Sequence, residues 1–133
     1  MTGPTESLEE RIERFGDALS RSDVDTAKRY VADDLTILSL SDGLKTYDRA
    51  WWEQMVPTFS LGGFELVHEH LVRRDEQAVH YRYARMTSTV AGAERTGMFC
   101  ITDYWLSHPE KGWVVWQRLS VQVVDAQRLP DEF

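Results

Sequence analysis

From Phe64 onward the chain alternates apolar and polar positions in long runs, the period-two signature of β-strands. Four strands are expected, at about 64–73, 76–90, 95–107 and 112–124. Turn residues separate them near Asp75, at Ala91-Gly92 and across His108 to Gly112. The first half follows a different period. Leu8, Ile12, Phe15 and Leu19 recur at helical spacing, which predicts a helix from about Ser7 to Ser20. After the short joint Arg21-Ser22, either Ser22 or Asp23 can cap a second helix carrying Val24, Ala27, Tyr30 and Val31, ending near Asp33-Asp34. Leu35–Leu40 has strand character, Ser41-Asp42-Gly43 turns it, and Leu44-Lys45-Thr46 can answer it. Asp48 caps a third, aromatic helix from Arg49 to about Val56, which Pro57 stops, and Leu61-Gly62-Gly63 reads as a break.

The last hairpin holds the chemistry. Strict alternation puts Phe99, Ile101, Asp103 and Trp105 on one face of its first arm, and Met98, Cys100, Thr102, Tyr104 and Leu106 on the other. On the second arm it groups Trp113, Val115, Gln117, Leu119 and Val121 against Val114, Trp116, Arg118, Ser120 and Gln122. Neither arm has a clean polar face, so both faces are expected to be covered. Each of the more apolar faces carries one misfit, Asp103 and Gln117. A carboxylate among Phe, Ile and Trp must be paired, neutralised or put to use.

Composition narrows the reading. A chain of 133 residues builds one core, so a single domain over 1–133 is expected, with loose ends at 1–6 and 126–133. A net charge of −7 argues against nucleic acid or an anionic membrane as partner. No apolar run approaches a membrane span, the acidic N-terminal stretch does not resemble a signal peptide, and a cytoplasmic protein is the default. The single Cys100 allows no internal disulfide. His68 and His70 are two ligands at most, so neither a metal nor another cofactor is expected.

Helices first and four long antiparallel strands after them describe an α+β domain. Three N-terminal helices would pack on a strongly bent, mainly antiparallel sheet as a cone-shaped roll with an interior pocket. The order of three stretches makes the chain resemble the SnoaL-like and ketosteroid-isomerase-like branch of the nuclear-transport-factor-2-like superfamily. These are Ser22-Asp23 with Tyr30-Val31-Ala32-Asp33-Asp34, Asp42-Gly43 leading into the third helix, and Thr102-Asp103-Tyr104-Trp105 ahead of Gly112-Trp113. That resemblance implies an acid at Asp103, which in ketosteroid isomerase is a neutral carboxylic acid donating to an oxyanion. It also puts Ser39 where that enzyme has its general base and Phe15 where it has a tyrosine. Steroid isomerisation by the same mechanism is therefore not expected, while an acid/base role for Asp103, as in SnoaL-like cyclases, is.

The pocket candidates follow. Gln117 would orient a ligand's polar group, and Phe15, Ile37, Ser39, Trp51, Phe99, Ile101 and Val115 would line the interior. His80 and Arg82 join them if the Ala78-Ala84-Met86 face of their strand turns inward, and not if the Val79-Tyr81-Tyr83 face does. Two functions stay open. One is a cofactor-independent enzyme of isomerase, cyclase or dehydratase type, acting on a hydrophobic carbonyl-bearing or polycyclic small molecule. The other is a non-catalytic ligand-binding or dimeric scaffold protein, in which Asp103 is a structural acid tied to a neighbour. The patch of Tyr104, Trp116 and Arg118 on the outer sheet face would serve a homodimer, as it does in relatives of this fold.

Overall fold

The computed structural model describes residues 6–40 and 43–123. Helix α1 (Leu8–Ser20) starts at a reciprocal cap: the Ser7 hydroxyl accepts from the Glu10 N–H, and the Ser7 N–H donates to the Glu10 carboxylate. Its buried stripe is Leu8, Arg11, Phe15 and Ala18. The joint is as short as expected, with Ser22 at φ 58° and the Asp23 N–H closing back on the Ala18 carbonyl at 2.9 Å. Helix α2 (Val24–Ala27) is capped by Asp23 and followed by a 3-10 turn, Lys28–Tyr30.

The second helix does not reach Asp33-Asp34. The chain becomes strand β1 (Val31–Leu40) at Val31, because Val31 pairs with Val115 of the last strand and is 1% exposed. A sheet partner outweighs the helical spacing of a short segment. Strand β2 (Leu44–Asp48) and helix α3 (Arg49–Met55, capped by Asp48) follow, then strands β3 (Ser60–Arg74), β4 (Gln77–Val90), β5 (Ala93–His108) and β6 (Gly112–Val123). Strand β3 runs through Leu61-Gly62-Gly63, so the expected break is a register shift between Leu61 and Gly63. The order across the sheet is β2-β1-β6-β5-β4-β3, antiparallel throughout except for β1 beside β6.

The expected ends fall mostly outside the described residues. Glu6 does not, and it is not loose: it accepts from Tyr30 at 3.2 Å and pairs with Arg14 and Arg11. The turn residues Ser41 and Asp42, and the loose end expected at 126–133, lie outside the described residues.

Two bulges decide which side chains face inward. Between β5 and β6 the register shifts at Tyr104/Trp105, so that Tyr104 faces Gln117 while Trp105 faces Val115. Trp116 is the extra residue. Beyond it the parity of β6 reverses. Trp113 and Val115 face inward, but so do Arg118 and Ser120, and Gln117 goes to the outer face beside Tyr104. A similar shift at Leu66/His68 in β3, around Val67, turns Glu69 and Leu71 inward.

The core fills one end of the concave face. Phe15 stands edge-on to Tyr30 and Trp105 at 6.3 and 5.8 Å and stacks on Trp52 at 6.4 Å. The β4–β5 turn puts Ala91 at φ 51° and Gly92 at φ 82°, left-handed backbone in which only Gly escapes a steric penalty. Ala91→Gly should therefore raise stability by about 0.5–1 kcal/mol in a denaturant titration, since Ala91 is exposed and loses no packing.

Candidate functional site

The strand registers lay two rows of side chains across the concave face. The first runs Leu71, His80, Asp103, Arg118, Ile37 and Tyr47 from β3 to β2. The second, one step along, runs Glu69, Arg82, Ile101, Ser120, Ser39 and Lys45. All of these except Asp103 line a cleft of about 1340 Å³ between the sheet and helices α1 and α3. The open question about β4 is thereby answered: Ala78, His80, Arg82, Ala84 and Met86 form the inward face.

At the centre is Asp103, 1% exposed. One carboxylate oxygen accepts from Arg118 Nε at 2.6 Å, and the other accepts from Arg118 at 2.8 Å and from Arg82. Burial pushes the carboxyl pKa up, but the Arg118 and Arg82 guanidiniums overcome it and hold it at about 2. Asp103 is thus an ionised counter-charge with both oxygens occupied. The geometry does not carry the neutral hydrogen-bond donor that the resemblance implied.

Each guanidinium answers to the same cluster. For Arg118, burial works against its charge, yet Asp103 outweighs it and the pKa rises. For Arg82, burial and the nearby Arg118 win over Asp103, and the pKa falls. Both still carry charge at neutral pH. Two cations on one anion leave the cluster itself with one positive charge in excess, which the Glu69 carboxylate, cross-strand neighbour of Arg82, faces from the cleft wall. Arg118 also lies over the Phe15 ring, 5.3 Å from its centroid. The Nε of Arg82 is buried with no hydrogen-bond partner among the described residues.

Beside this cluster His80 Nε2 lies 2.6 Å from Oε2 of Glu69. His80 is 3% exposed, while the Glu69 side chain is 48% exposed and forms part of the cleft wall. Burial lowers the His80 pKa, with Arg82 adding to the effect, so the ring is neutral at pH 7 and donates from Nε2 to the carboxylate.

The remaining candidates divide. Ile37, Ser39, Trp51 and Ile101 line the cleft with His80 and Arg82. Phe15, Phe99 and Val115 do not; they are core residues at 3%, 0% and 1% exposure. Gln117 does not line the cleft because the Trp116 bulge turns it outward. The same bulge corrects the outer patch, since Arg118 belongs to the interior while Tyr104 and Trp116 stay outside, ring centroids 5.9 Å apart. Arg118 and Glu69 are the polar groups that strict alternation misplaced or passed over. The available signals were the unbroken apolar runs Val114-Val115-Trp116 and Leu66-Val67, where alternation lapses at each bulge. Among the described residues, no group of His, Cys, Asp and Glu could hold a metal ion, and no helix is long and apolar enough to cross a membrane.

Solved structures share this architecture. An NTF2-like protein from Cytophaga hutchinsonii ATCC 33406 superposes with a TM-score of 0.77 at 12% identity, over 87% of this chain and 95% of that one. One from Rhodospirillum rubrum ATCC 11170 gives 0.75 at 16% identity, over 90% and 100%. A candidate ketosteroid isomerase from Parabacteroides distasonis ATCC 8503 gives 0.64 at 13% identity, over 90% of each chain. The chain therefore has the nuclear-transport-factor-2-like fold. No family model and no curated protein matches its sequence. At such identities the likeness speaks for the fold alone.

Removing the central charge tests the cluster. Asp103→Asn leaves two largely buried guanidiniums without a counter-ion and should cost about 3–5 kcal/mol of stability by denaturant titration. The triple change Arg82→Met, Asp103→Leu and Arg118→Met should stay close to wild type in stability. The lowered Asp103 pKa contributes stability that is complete above its ordinary value of 3.8 and is lost as pH falls toward about 2. The loss across that window should amount to about 2 kcal/mol.

Proposed function

We propose that this protein is a cofactor-independent enzyme of acid/base type, acting on an amphipathic small molecule that carries a carbonyl or anionic oxygen. The observation that carries the reading is the Arg82–Asp103–Arg118 cluster at the floor of a large, mainly apolar cleft. The excess positive charge favours an oxygen that is negative or becomes so during reaction. Asp103 fixes the guanidiniums in place and keeps the second cation from being expelled by the first. Tyr47 and Trp51, stacked with centroids 3.7 Å apart, and Ile37, Met86 and Phe64 offer walls for an apolar body. The neighbouring protein named as a candidate ketosteroid isomerase is consistent with such chemistry on this fold. The positions that matter differ, since Ser39 and Phe15 supply neither a base nor a phenol.

A pair of dyes separates charge recognition from simple greasiness. Anilinonaphthalene sulfonate should bind one per chain and be preferred over uncharged phenylnaphthylamine by about tenfold or more, the scale of one charge-assisted contact. Arg82→Gln should remove that preference and leave phenylnaphthylamine binding unchanged. Equal affinity for both dyes, or no binding of either, would count against the anion-seeking pocket.

The outer sheet face supports self-association as a homodimer. Trp116 is 39% exposed there, a large ring left wet beside Tyr104. Sedimentation at micromolar concentration should show a dimer that Trp116→Glu dissociates, and a wild-type monomer would remove this interface.

A further inference from the structure

The cleft has a carboxylate that the resemblance did not point to. Ser39, in the family's base position, and Glu69 lie in the same cross-sheet row, four strands apart, roughly 19 Å measured along the sheet. Glu69 stands on the opposite wall, cross-strand neighbour of Arg82. Its side chain is half exposed in the cleft, and one oxygen is held by the buried His80 ring at 2.6 Å. An accessible carboxylate with a fixed orientation, next to a cationic oxygen-binding site, is the arrangement that proton abstraction beside a carbonyl requires.

We propose that Glu69 is the general base of this cleft, with His80 as its positioning residue, and that the substrate is an apolar 2-oxo acid or a closely similar anionic, enolisable ketone; this rests on the anion-seeking reading of the same cleft. The substrate's carboxylate and ketone oxygens would both be acceptors for Arg82 and Arg118, whose side chains have donors only. The reaction is a keto–enol shift. Glu69 takes a proton from the carbon next to the ketone, the C–H electron pair forms the new C=C bond, and the carbonyl pair moves onto oxygen beside the guanidiniums. Glu69 then returns its proton to that oxygen, or to the carbon in the reverse direction. No oxidant, reductant or metal enters the balance.

The surroundings are consistent with this division of roles. His80 and Arg82 face Glu69 from β4, Asp103 and Arg118 stand behind them on β5 and β6, and His70 is its neighbour on β3. Helix α1 contributes Glu9 and Glu13 to the cleft wall. His80, kept neutral by burial, donates to Glu69 and fixes the orientation of its carboxylate. The side-chain row holds Glu69 and the oxygen-binding Arg82 on adjacent strands that pair by main-chain hydrogen bonds.

Phenylpyruvate is a suitable probe, with a carboxylate, a ketone, an enolisable methylene and an aromatic body. Exchange of its methylene protons in deuterated water is followed by NMR, and its binding by displacement of anilinonaphthalene sulfonate. The wild-type chain should speed exchange above the buffer rate. Glu69→Gln should lower kcat by about a hundredfold or more with little change in KM. His80→Leu should lower kcat by about tenfold, also with little change in KM, whereas His80→Gln, which can still donate to Glu69, should recover most of the rate. Binding of phenylpyruvate without faster exchange, or full activity in Glu69→Gln, overturns the assignment of the base and leaves the anion pocket standing. Failure of phenylpyruvate to displace the dye overturns the substrate class, and failure of the dye itself to bind overturns the pocket.

Discussion

The concave face of this protein is built around one carboxylate that water cannot reach. An ion of that size, moved alone into a protein interior, costs several kcal/mol even after relaxation, so Asp103 can stay charged only beside cations. Arg82 and Arg118 supply them from the two strands that flank β5. The arrangement depends on register at both strand pairs. Slipping either one by a residue would send its arginine to the outer face and leave the carboxylate alone. The cluster therefore makes β4, β5 and β6 one electrostatic unit, and the stack of Arg118 on Phe15 joins helix α1 to it.

The fold was readable because its signals are local and repeated. Alternation over ten or more residues and turn chemistry at Ala91-Gly92 and Pro109–Gly112 place the long strands, while the helical spacing of Leu8, Ile12, Phe15 and Leu19 and the Asp48 cap place the helices that matter most. The misfit of Asp103 among Phe99, Ile101 and Trp105 was equally plain. Its partners were not. Period-two reasoning holds only while no residue is inserted, and a single bulge at Trp116 exchanges Gln117 for Arg118 in the interior. The bulge at Val67 does the same for Glu69. Whether Asp103 is neutral or ionised depends on those partners, so the charge state could not be read from its own strand. Val31–Asp34 misled for a different reason: their helical spacing is genuine, but β6 offers Val31 a parallel partner that only the tertiary structure brings near.

These side chains also separate this cleft from the chemistry its fold first suggests. An oxyanion site made of neutral donors holds partial charge, whereas one with an excess guanidinium suits a full negative charge on the ligand or the intermediate. The resemblance puts Ser39 and Phe15 where ketosteroid isomerase has its base and its phenol, so the proposed proton transfer draws instead on Glu69, in the row containing Arg82. Shared architecture with a different set of polar side chains is what a fold that hosts many activities would be expected to show.

The Arg82–Asp103–Arg118 cluster turns on the charge of Asp103, whose carboxyl carbon can be followed directly by NMR as pH is lowered. The expected result is a carboxyl that is still ionised at pH 4 and takes up its proton with a midpoint near about 2, the value at which Arg118 and Arg82 hold it against burial. A midpoint at or above the ordinary 3.8 would mean that burial outweighs the guanidiniums and that the Arg82–Asp103–Arg118 pairing does not exist in this form.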